Sequence, residues 1–258
     1  MASEELTVER PAGRRPNAGL AFLKELVFVV VGAIIVSSLL RAFVGQMFII
    51  PSDSMQNTLL QGDRVVVQKV TDFQRGNVVV FEDPADWLGD EPTEDPTAVD
   101  RLLEFVGIPT ASSPGHLIKR VIGMPGDTVV CCDSSGRMTV NGTALDESTY
   151  LYAGPDGTQV APSDIEFSVV VPRDRIFVMG DHRNLSADSR CHLSDVSTQG
   201  RGQTAFVPVS DVVGPALAIV SPFDRAKRLR IPATFAAVPA PTEAAPERGE
   251  IKPAGVSC

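Results

Sequence analysis

The apolar positions of this chain follow two different patterns. The first is a continuous run, LVFVVVGAIIVSSLL at residues 26–40, which carries no charge, and apolar character resumes at residues 42–50. Such a run predicts a helix, and at 1.5 Å per residue its fifteen residues would extend about 22 Å. The second pattern begins after residue 62 and consists of short β-branched runs between turn residues, which is typical of strands.

The short runs are spread over residues 63–221. They are DRVVVQKV at 63–70, NVVVFE at 77–82, HLIKRVIG at 116–123 and DTVVCC at 127–132, followed by RMTVNGTAL, FSVVVP, RIFVMG and VVGPALAIVS. Because they recur at short intervals and helices are nearly absent among them, we expect antiparallel pairing. The predicted fold is mainly β: an N-terminal transmembrane helix followed by an antiparallel β-sheet or barrel-like scaffold.

The uncharged run is shorter than a hydrocarbon core of about 30 Å. Lys24 and Arg41 could snorkel to the interfaces, which brings a membrane span within reach. A buried core helix and a cleaved signal peptide are the alternatives, but Arg41 stands where a small-residue cleavage site would be needed. Basic residues are more frequent before the run than directly after it, which predicts a cytoplasmic N-terminus and a single pass of the plasma membrane.

Composition divides the chain into four segments. We expect a disordered cytoplasmic tail at 1–18, an anchor at 19–50, an extracytoplasmic β domain at 51–231 and a disordered, proline- and alanine-rich tail at 232–258. An acidic insertion at 82–115 interrupts the β domain, with a short amphipathic helix predicted at 97–108. The net charge of −9 argues against a nucleic-acid binder.

Four cysteines, Cys131, Cys132, Cys191 and Cys258, would all lie on the exported side, where disulfides persist. A disulfide between Cys191 and either member of the adjacent pair stays open at this point. The spacing does not match a zinc site, and no metal or cofactor is expected.

Candidate chemistry begins where the apolar stretch ends, in FIIPSDSMQNTL at 48–59. A serine nucleophile needs a base. Ser54, His182 and Asp188 can be drawn as a triad, although their spacing does not require one. The other base is Lys119, which shares a strand face with apolar neighbours. Burial lowers the pKa of a lysine, and a neutral lysine can take the proton of a serine hydroxyl, but a strand lysine can also snorkel or pair with an acid.

A third polar segment, GDHRNLSADSR at 180–190, follows the predicted strand RIFVMG. It could be a surface loop with local turns and an ion pair. It could also be one wall of an active site, in which a hydroxyl orients the lysine as the third member of a triad orients its base.

Four segments in this order, PSDSMQNTLLQGD, RGNVVVF, KRVIGMPGD and GDHRNLSADSR, resemble the motif boxes of bacterial type I signal peptidases of the one-anchor subtype. The resemblance covers about residues 20–221. It implies a Ser–Lys endopeptidase on an all-β scaffold that removes signal peptides from exported preproteins. It also implies contact with the lipid bilayer and proximity to the export translocon.

By this resemblance Ser54 is the nucleophile and Lys119 the general base. Ser52 and the Ser54 backbone N–H would bind the oxyanion, and Ser186 would orient the lysine. The residues that would shape the site are Asp181, Arg183, Asp188 and Arg190, and those that would form a rim toward lipid and substrate are Phe48, Ile49, Ile50 and Met55. The chain departs from the family at Asn57, where proline is usual.

Two other functions stay open. One is a related Ser–Lys protease with a single dedicated substrate, and the other is an inactive, membrane-tethered β scaffold that binds export partners. Cleavage of several unrelated preproteins would exclude the first, and labelling of Ser54 by an acylating inhibitor would exclude the second.

Overall fold

The structure is a computed structural model that describes residues 18–43, 45–85, 87–89 and 115–252. The tail predicted at 1–18 lies outside the described residues except for its last position. The same holds for most of the insertion at 82–115, including the helix predicted at 97–108, and for the last six residues of the chain.

Helix α1 spans Ala18–Phe43 and contains the whole uncharged run. Its exposed large apolar side chains are Phe22, Leu23, Leu26, Val27, Phe28, Val29, Val30, Val31, Ile35 and Val36. Within the described residues, no helix combines the length and the apolar character that a membrane crossing requires.

In the part of the chain that the structure describes, fifteen strands follow the helix, and every pairing between them is antiparallel. They are β1 (Gly45–Ile49), β2 (Arg64–Gln68), β3 (Val78–Glu82), β4 (His116–Gly123), β5 (Thr128–Cys131), β6 (Thr139–Val140), β7 (Thr143–Ala144), β8 (Phe167–Val170), β9 (Arg175–Met179), β10 (Val196–Ser197), β11 (Gly200–Arg201), β12 (Val207–Pro208), β13 (Val212–Ser221), β14 (Lys227–Arg228) and β15 (Glu250–Lys252). Short 3₁₀ helices occur at Asp53–Met55, Arg183–Leu185, Ser189–His192, Gln203–Ala205, Val209–Asp211, Phe223–Arg225 and Ala233–Ala237. The mainly β, antiparallel fold expected from the sequence is confirmed.

The anchor predicted at 19–50 ends too late. Residues 45–49 form β1, which pairs with β2 from Gly45 opposite Gln68 to Ile49 opposite Arg64. A β-carbon at Gly45 would lie 2.9 Å from the carbonyl oxygen of Val67, so glycine allows the close approach that opens this pairing. Residues 45–50 are therefore mainly apolar because they form a strand of a sheet and the residue after it, and they contribute side chains to the core of that sheet.

The larger sheet has the order β1-β2-β13-β3-β4-β9-β12, with β14 added on β13. Strand β13 pairs with β3 through residues 212–215 and with β2 through residues 216–221. The change of partner follows Gly214, whose φ of 153° favours glycine and whose α-carbon packs against the Gln68 carbonyl. This sheet carries the candidate chemistry: Ser54 lies between β1 and β2, Lys119 on β4, and the polar segment 180–190 directly after β9.

A second, five-stranded sheet has the order β15-β8-β5-β6-β7. Its strand β15 lies in the C-terminal segment and corrects a prediction. The sequence predicted disorder for 232–258, yet the described part of this segment is packed. Phe235 and Val238 are buried in the same apolar cluster as β5 and β8, and β15 pairs with β8. Proline lowers both helix and strand signals and alanine lowers the strand signal, but an extended segment can still bury single apolar side chains against an existing sheet.

The cysteines also differ from the possibilities left open. Cys131 and Cys132 are joined to each other by a disulfide, and Cys191 is disulfide-bonded as well. Because the adjacent pair is bonded internally, Cys191 does not pair with either of its members.

Candidate active site

Ser54 and Lys119 meet in the buried part of the larger sheet. Ser54 lies in the 3₁₀ helix Asp53–Met55, where the next residue, Met55, is fully buried and fixes the turn on the core. Lys119 Nζ donates a hydrogen bond of 2.7 Å to Ser54 Oγ. Their exposed fractions are only 6% and 3%. The sequence placed these residues 65 positions apart, and the fold brings their reactive atoms into contact.

Burial gives Lys119 the properties of a base. Desolvation lowers its pKa from the ordinary 10.5 to about 8, although the charges of Asp188 and Asp181 act in the opposite direction; the Arg190 charge lowers it further. A substantial fraction of this amine is therefore neutral at mildly alkaline pH, and a neutral amine in hydrogen-bond contact with a hydroxyl can accept its proton.

Ser52 stands on the solvent side of the same turn. Its Oγ lies 3.2 Å from Ser54 Oγ, and the residue is exposed. A hydroxyl at this distance from a nucleophile is within reach of an oxyanion that forms on an attacked carbonyl, where one donor typically contributes about 3 kcal/mol.

The backbone of Ser54 is held by the segment after β9. The N–H of His182 donates to the Ser54 carbonyl at 3.1 Å. A β-carbon at Gly180 would overlap with this carbonyl and with Ser186 Oγ, so only glycine fits. Sequence reasoning did not single out Gly180, although it opens the quoted motif.

The triad that the sequence left open is not assembled. The ring of His182 stacks on Tyr152 with centroids 3.9 Å apart, and its Nδ1 is buried without a hydrogen-bond partner in the described chain. Asp188 instead receives both Arg190 and the Gly180 N–H. The base in contact with Ser54 is Lys119.

Asp188 and Arg190 form the buried ion pair that the resemblance implied, with Nη2 and Oδ2 2.9 Å apart. Burial alone raises the pKa of Asp188, but the charge and hydrogen bonds of Arg190 and the Gly180 amide hold it below its ordinary value. Ser186 Oγ also lowers this pKa by its proximity, yet within the described residues it makes no hydrogen bond of normal geometry. Ser186 Oγ therefore does not accept a hydrogen bond from the Lys119 amine in this structure.

The other two charged residues of segment 180–190, Asp181 and Arg183, have partners that the sequence did not indicate. Asp181 accepts two bonds from the Arg120 guanidinium, at 2.8 and 2.6 Å. Arg183 pairs with Glu147 at 2.5 Å, and both are buried. Arg120 could have been noticed, because it follows Lys119 in an apolar strand; Glu147 lies in a loop that gives no such signal.

The predicted rim is wrong for three of its four residues. Phe48, Ile50 and Met55 are buried in the apolar cluster between β1, β2 and β13. Only Ile49 keeps partial exposure. Phe48 and Ile50 alternate into the core along the extended backbone of β1 and the residue after it, and Met55 enters the core from the 3₁₀ helix. All three therefore support the turn that carries Ser54.

Asn57 explains one departure from the family pattern. Its φ is 87°, which proline cannot adopt because its ring fixes φ near −65°. Its side-chain amide donates to the Leu151 carbonyl at 3.1 Å. In this chain an asparagine in the left-handed region, hydrogen-bonded to the distant loop that contains Leu151, shapes the turn after Ser54.

Comparisons with known proteins identify the family of the chain. A family model described as signal peptidase, peptidase S26, matches residues 23–221. Signal peptidase I of Mycobacterium tuberculosis (strain CDC 1551 / Oshkosh) is 35% identical over 236 residues, covering 84% of this chain and 76% of that protein. Probable signal peptidase I-1 of Synechocystis sp. (strain ATCC 27184 / PCC 6803 / Kazusa) is 33% identical over 225 residues, covering 86% and 92%.

A solved signal peptidase I from Enterococcus faecalis V583 is 22% identical and covers 56% of this chain and 97% of its own, with a TM-score of 0.29 that supports no argument about the fold. Taken with the site, the sequence relatives define a hydrolase of the serine endopeptidase class. The chain belongs to the signal peptidase family, peptidase S26.

Proposed function

We propose that this protein is a membrane-anchored serine endopeptidase that cleaves N-terminal signal peptides from exported preproteins with a Ser54–Lys119 dyad. The observation that carries the proposal is the buried hydrogen bond of 2.7 Å between the lysine amine and the serine hydroxyl. The relatives named signal peptidase I supply the substrate class.

In the proposed reaction the neutral Lys119 amine takes the proton of Ser54 as Oγ attacks the scissile carbonyl carbon. The oxyanion that forms accepts hydrogen bonds from the Ser54 N–H and the Ser52 hydroxyl. The resulting ammonium then protonates the leaving amine as the peptide bond breaks. Lys119, neutral again, deprotonates a water that attacks the acyl ester, and the returned proton releases Ser54.

The anchor in this proposal is α1. Its run of fifteen uncharged residues and its exposed apolar side chains favour a lipid surrounding, where a helix satisfies its own backbone. The excess of basic residues before the run supports a cytoplasmic N-terminus and an extracytoplasmic catalytic domain. Enzyme and preprotein held in one plasma membrane, near the export translocon, meet at raised effective concentration.

The test is cleavage of several unrelated preproteins by the full chain in lipid vesicles. We expect Ser54→Ala and Lys119→Ala to lose cleavage and His182→Ala, a change at a residue whose backbone N–H contacts Ser54, to retain it. Activity of Lys119→Ala together with loss in His182→Ala would refute the dyad. Processing of only one preprotein would instead indicate a dedicated maturation protease.

A further inference from the structure

The C-terminal segment 232–252, which we call the C-terminal strap, lies beyond the residues 23–221 that the family model matches. It is nevertheless packed along much of its length. Besides its buried side chains, it accepts hydrogen bonds from Asn141 at the Pro239 carbonyl and from the Arg173 N–H at the Pro246 carbonyl. The strap therefore lies outside the family match and still packs on the β domain.

Phe235 is the strap residue whose ring contacts Tyr150 and Gly76. It is 5% exposed, and its ring stacks on Tyr150 with centroids 6.1 Å apart at 27°. Its ring edge also fills the space over Gly76, where a β-carbon would lie 2.6 Å from Phe235 Cδ2. The φ of Gly76, 84°, independently favours glycine. Two groups therefore depend on Phe235 for their packing.

Both of these groups hold Arg120. The Gly76 carbonyl accepts a hydrogen bond of 2.7 Å from Arg120 Nη1. The Tyr150 ring lies 4.5 Å from the guanidinium carbon, in cation–π geometry. Arg120 is 2% exposed, so these contacts are made without competing water. Phe235 supports Arg120 by two separate routes.

On its other side Arg120 clamps Asp181 with two hydrogen bonds. Asp181 is one of the charged groups that face Lys119, together with Asp188 and Arg190. The titratable groups that face Arg120 are Asp181, Tyr150 and Arg183, and burial raises the pKa of the Tyr150 phenol, which keeps it neutral. We propose that Phe235 is a positioning residue for the dyad, acting through Arg120 and Asp181; this inference rests on the proposed function of Lys119.

The expected effect follows from electrostatics. Without the Phe235 ring, Arg120 loses packing on both of its supports and neutralises Asp181 less completely. A less neutralised carboxylate favours the ammonium form of Lys119, so the midpoint of kcat/KM against pH moves upward, by about one pH unit. Cleavage then falls about tenfold below the midpoint and is unchanged on the alkaline plateau.

The experiment measures preprotein cleavage by the full chain in detergent across the alkaline range. Phe235→Ala carries the test, and Val238→Ala is the matched control, because Val238 is buried in the same strap and cluster. Phe235→Tyr keeps the ring beside a cavity of about 300 Å³ and should restore the wild-type midpoint. Phe235→Leu replaces the alanine variant if that one does not fold.

An upward midpoint in Phe235→Ala or Phe235→Leu, with wild-type midpoints in Phe235→Tyr and Val238→Ala, supports the proposal. A wild-type midpoint in every Phe235 variant, whatever the loss of overall activity or stability, overturns it and leaves the strap a purely structural element. An active Lys119→Ala variant would instead refute the dyad itself, so the two failures are distinguishable.

Discussion

Replacing Lys119 with methionine should stabilise the protein while it abolishes cleavage. Methionine fills nearly the same volume as the lysine stem, so the buried site keeps its packing. What disappears is an amine whose charged form is disfavoured by burial. Ser54 Oγ loses one hydrogen bond, which costs about 1 kcal/mol at every pH.

The increase in the free energy of unfolding that Lys119→Met gives depends on pH. In the unfolded chain Lys119 titrates near 10.5, and in the folded protein near 8. Between these values the unfolded state binds more protons, so wild-type stability rises with pH over this window and is lowest below about 8. The gap between 10.5 and about 8 corresponds to about 3 kcal/mol, which methionine removes at neutral pH.

The assay is urea unfolding of the full chain in detergent, followed by the fluorescence of Trp87, the only tryptophan. Trp87 is 8% exposed and stacks on His192 at 4.4 Å, so unfolding changes its surroundings. Relative to wild type, Lys119→Met should gain about 3 kcal/mol more at about pH 7 than at about pH 10.5. An equal difference at both pH values would refute a lowered lysine pKa, since other titrating groups are common to both proteins.

Three further changes test the surroundings of the dyad. Ser52→Ala should lower kcat by about a hundredfold or more with little change in KM, because an oxyanion donor acts in the transition state; an unchanged kcat would remove Ser52 from that role. Gly180→Ala should abolish cleavage with folding retained, since a methyl group would displace the Ser54 carbonyl, and wild-type kinetics would contradict the close packing. Glu147→Gln should lower the free energy of unfolding by about 3 kcal/mol, measured by urea, because it leaves the Arg183 charge buried without its partner; no change in the urea midpoint would argue against this pair.

Local patterns were sufficient to predict the strands, whereas the pairing of Ser54 with Lys119 was predicted from the resemblance of four segments to a known family. The runs that became β2, β3, β4 and β9 are short, β-branched and bounded by turn residues, so burial and propensity act in the same direction. Lys119 was recognisable because a charge in an apolar strand must be either functional or compensated. The prediction was wrong at residues 48–50. This apolar stretch follows a helix and was taken as the continuation of that helix, whereas residues 45–49 form a strand.

Contacts between distant residues could not be predicted in this way. Glu147 and Tyr150 lie in a loop, and their importance follows only from Arg183 and Arg120, which approach them in the folded chain. The packing of Phe235 was hidden for another reason. Composition measures the average of a segment, whereas one aromatic residue in an alanine- and proline-rich stretch is enough to fix it on a sheet.

Arg120 and Arg190 have the same electrostatic effect, since each one reduces the effect of a carboxylate on Lys119. Burial makes Lys119 a base, but the same burial strengthens the effect of nearby carboxylates, and two of them would restore the ammonium form if their charges were not cancelled. Each carboxylate has its own arginine, Arg190 for Asp188 and Arg120 for Asp181. The carboxylates in turn hold the Gly180 amide and Thr58, which lie beside the turn of Ser54. The crowded charges of residues 180–190 therefore fix the geometry of the turn that carries Ser54, while the neutral form of Lys119 stays accessible.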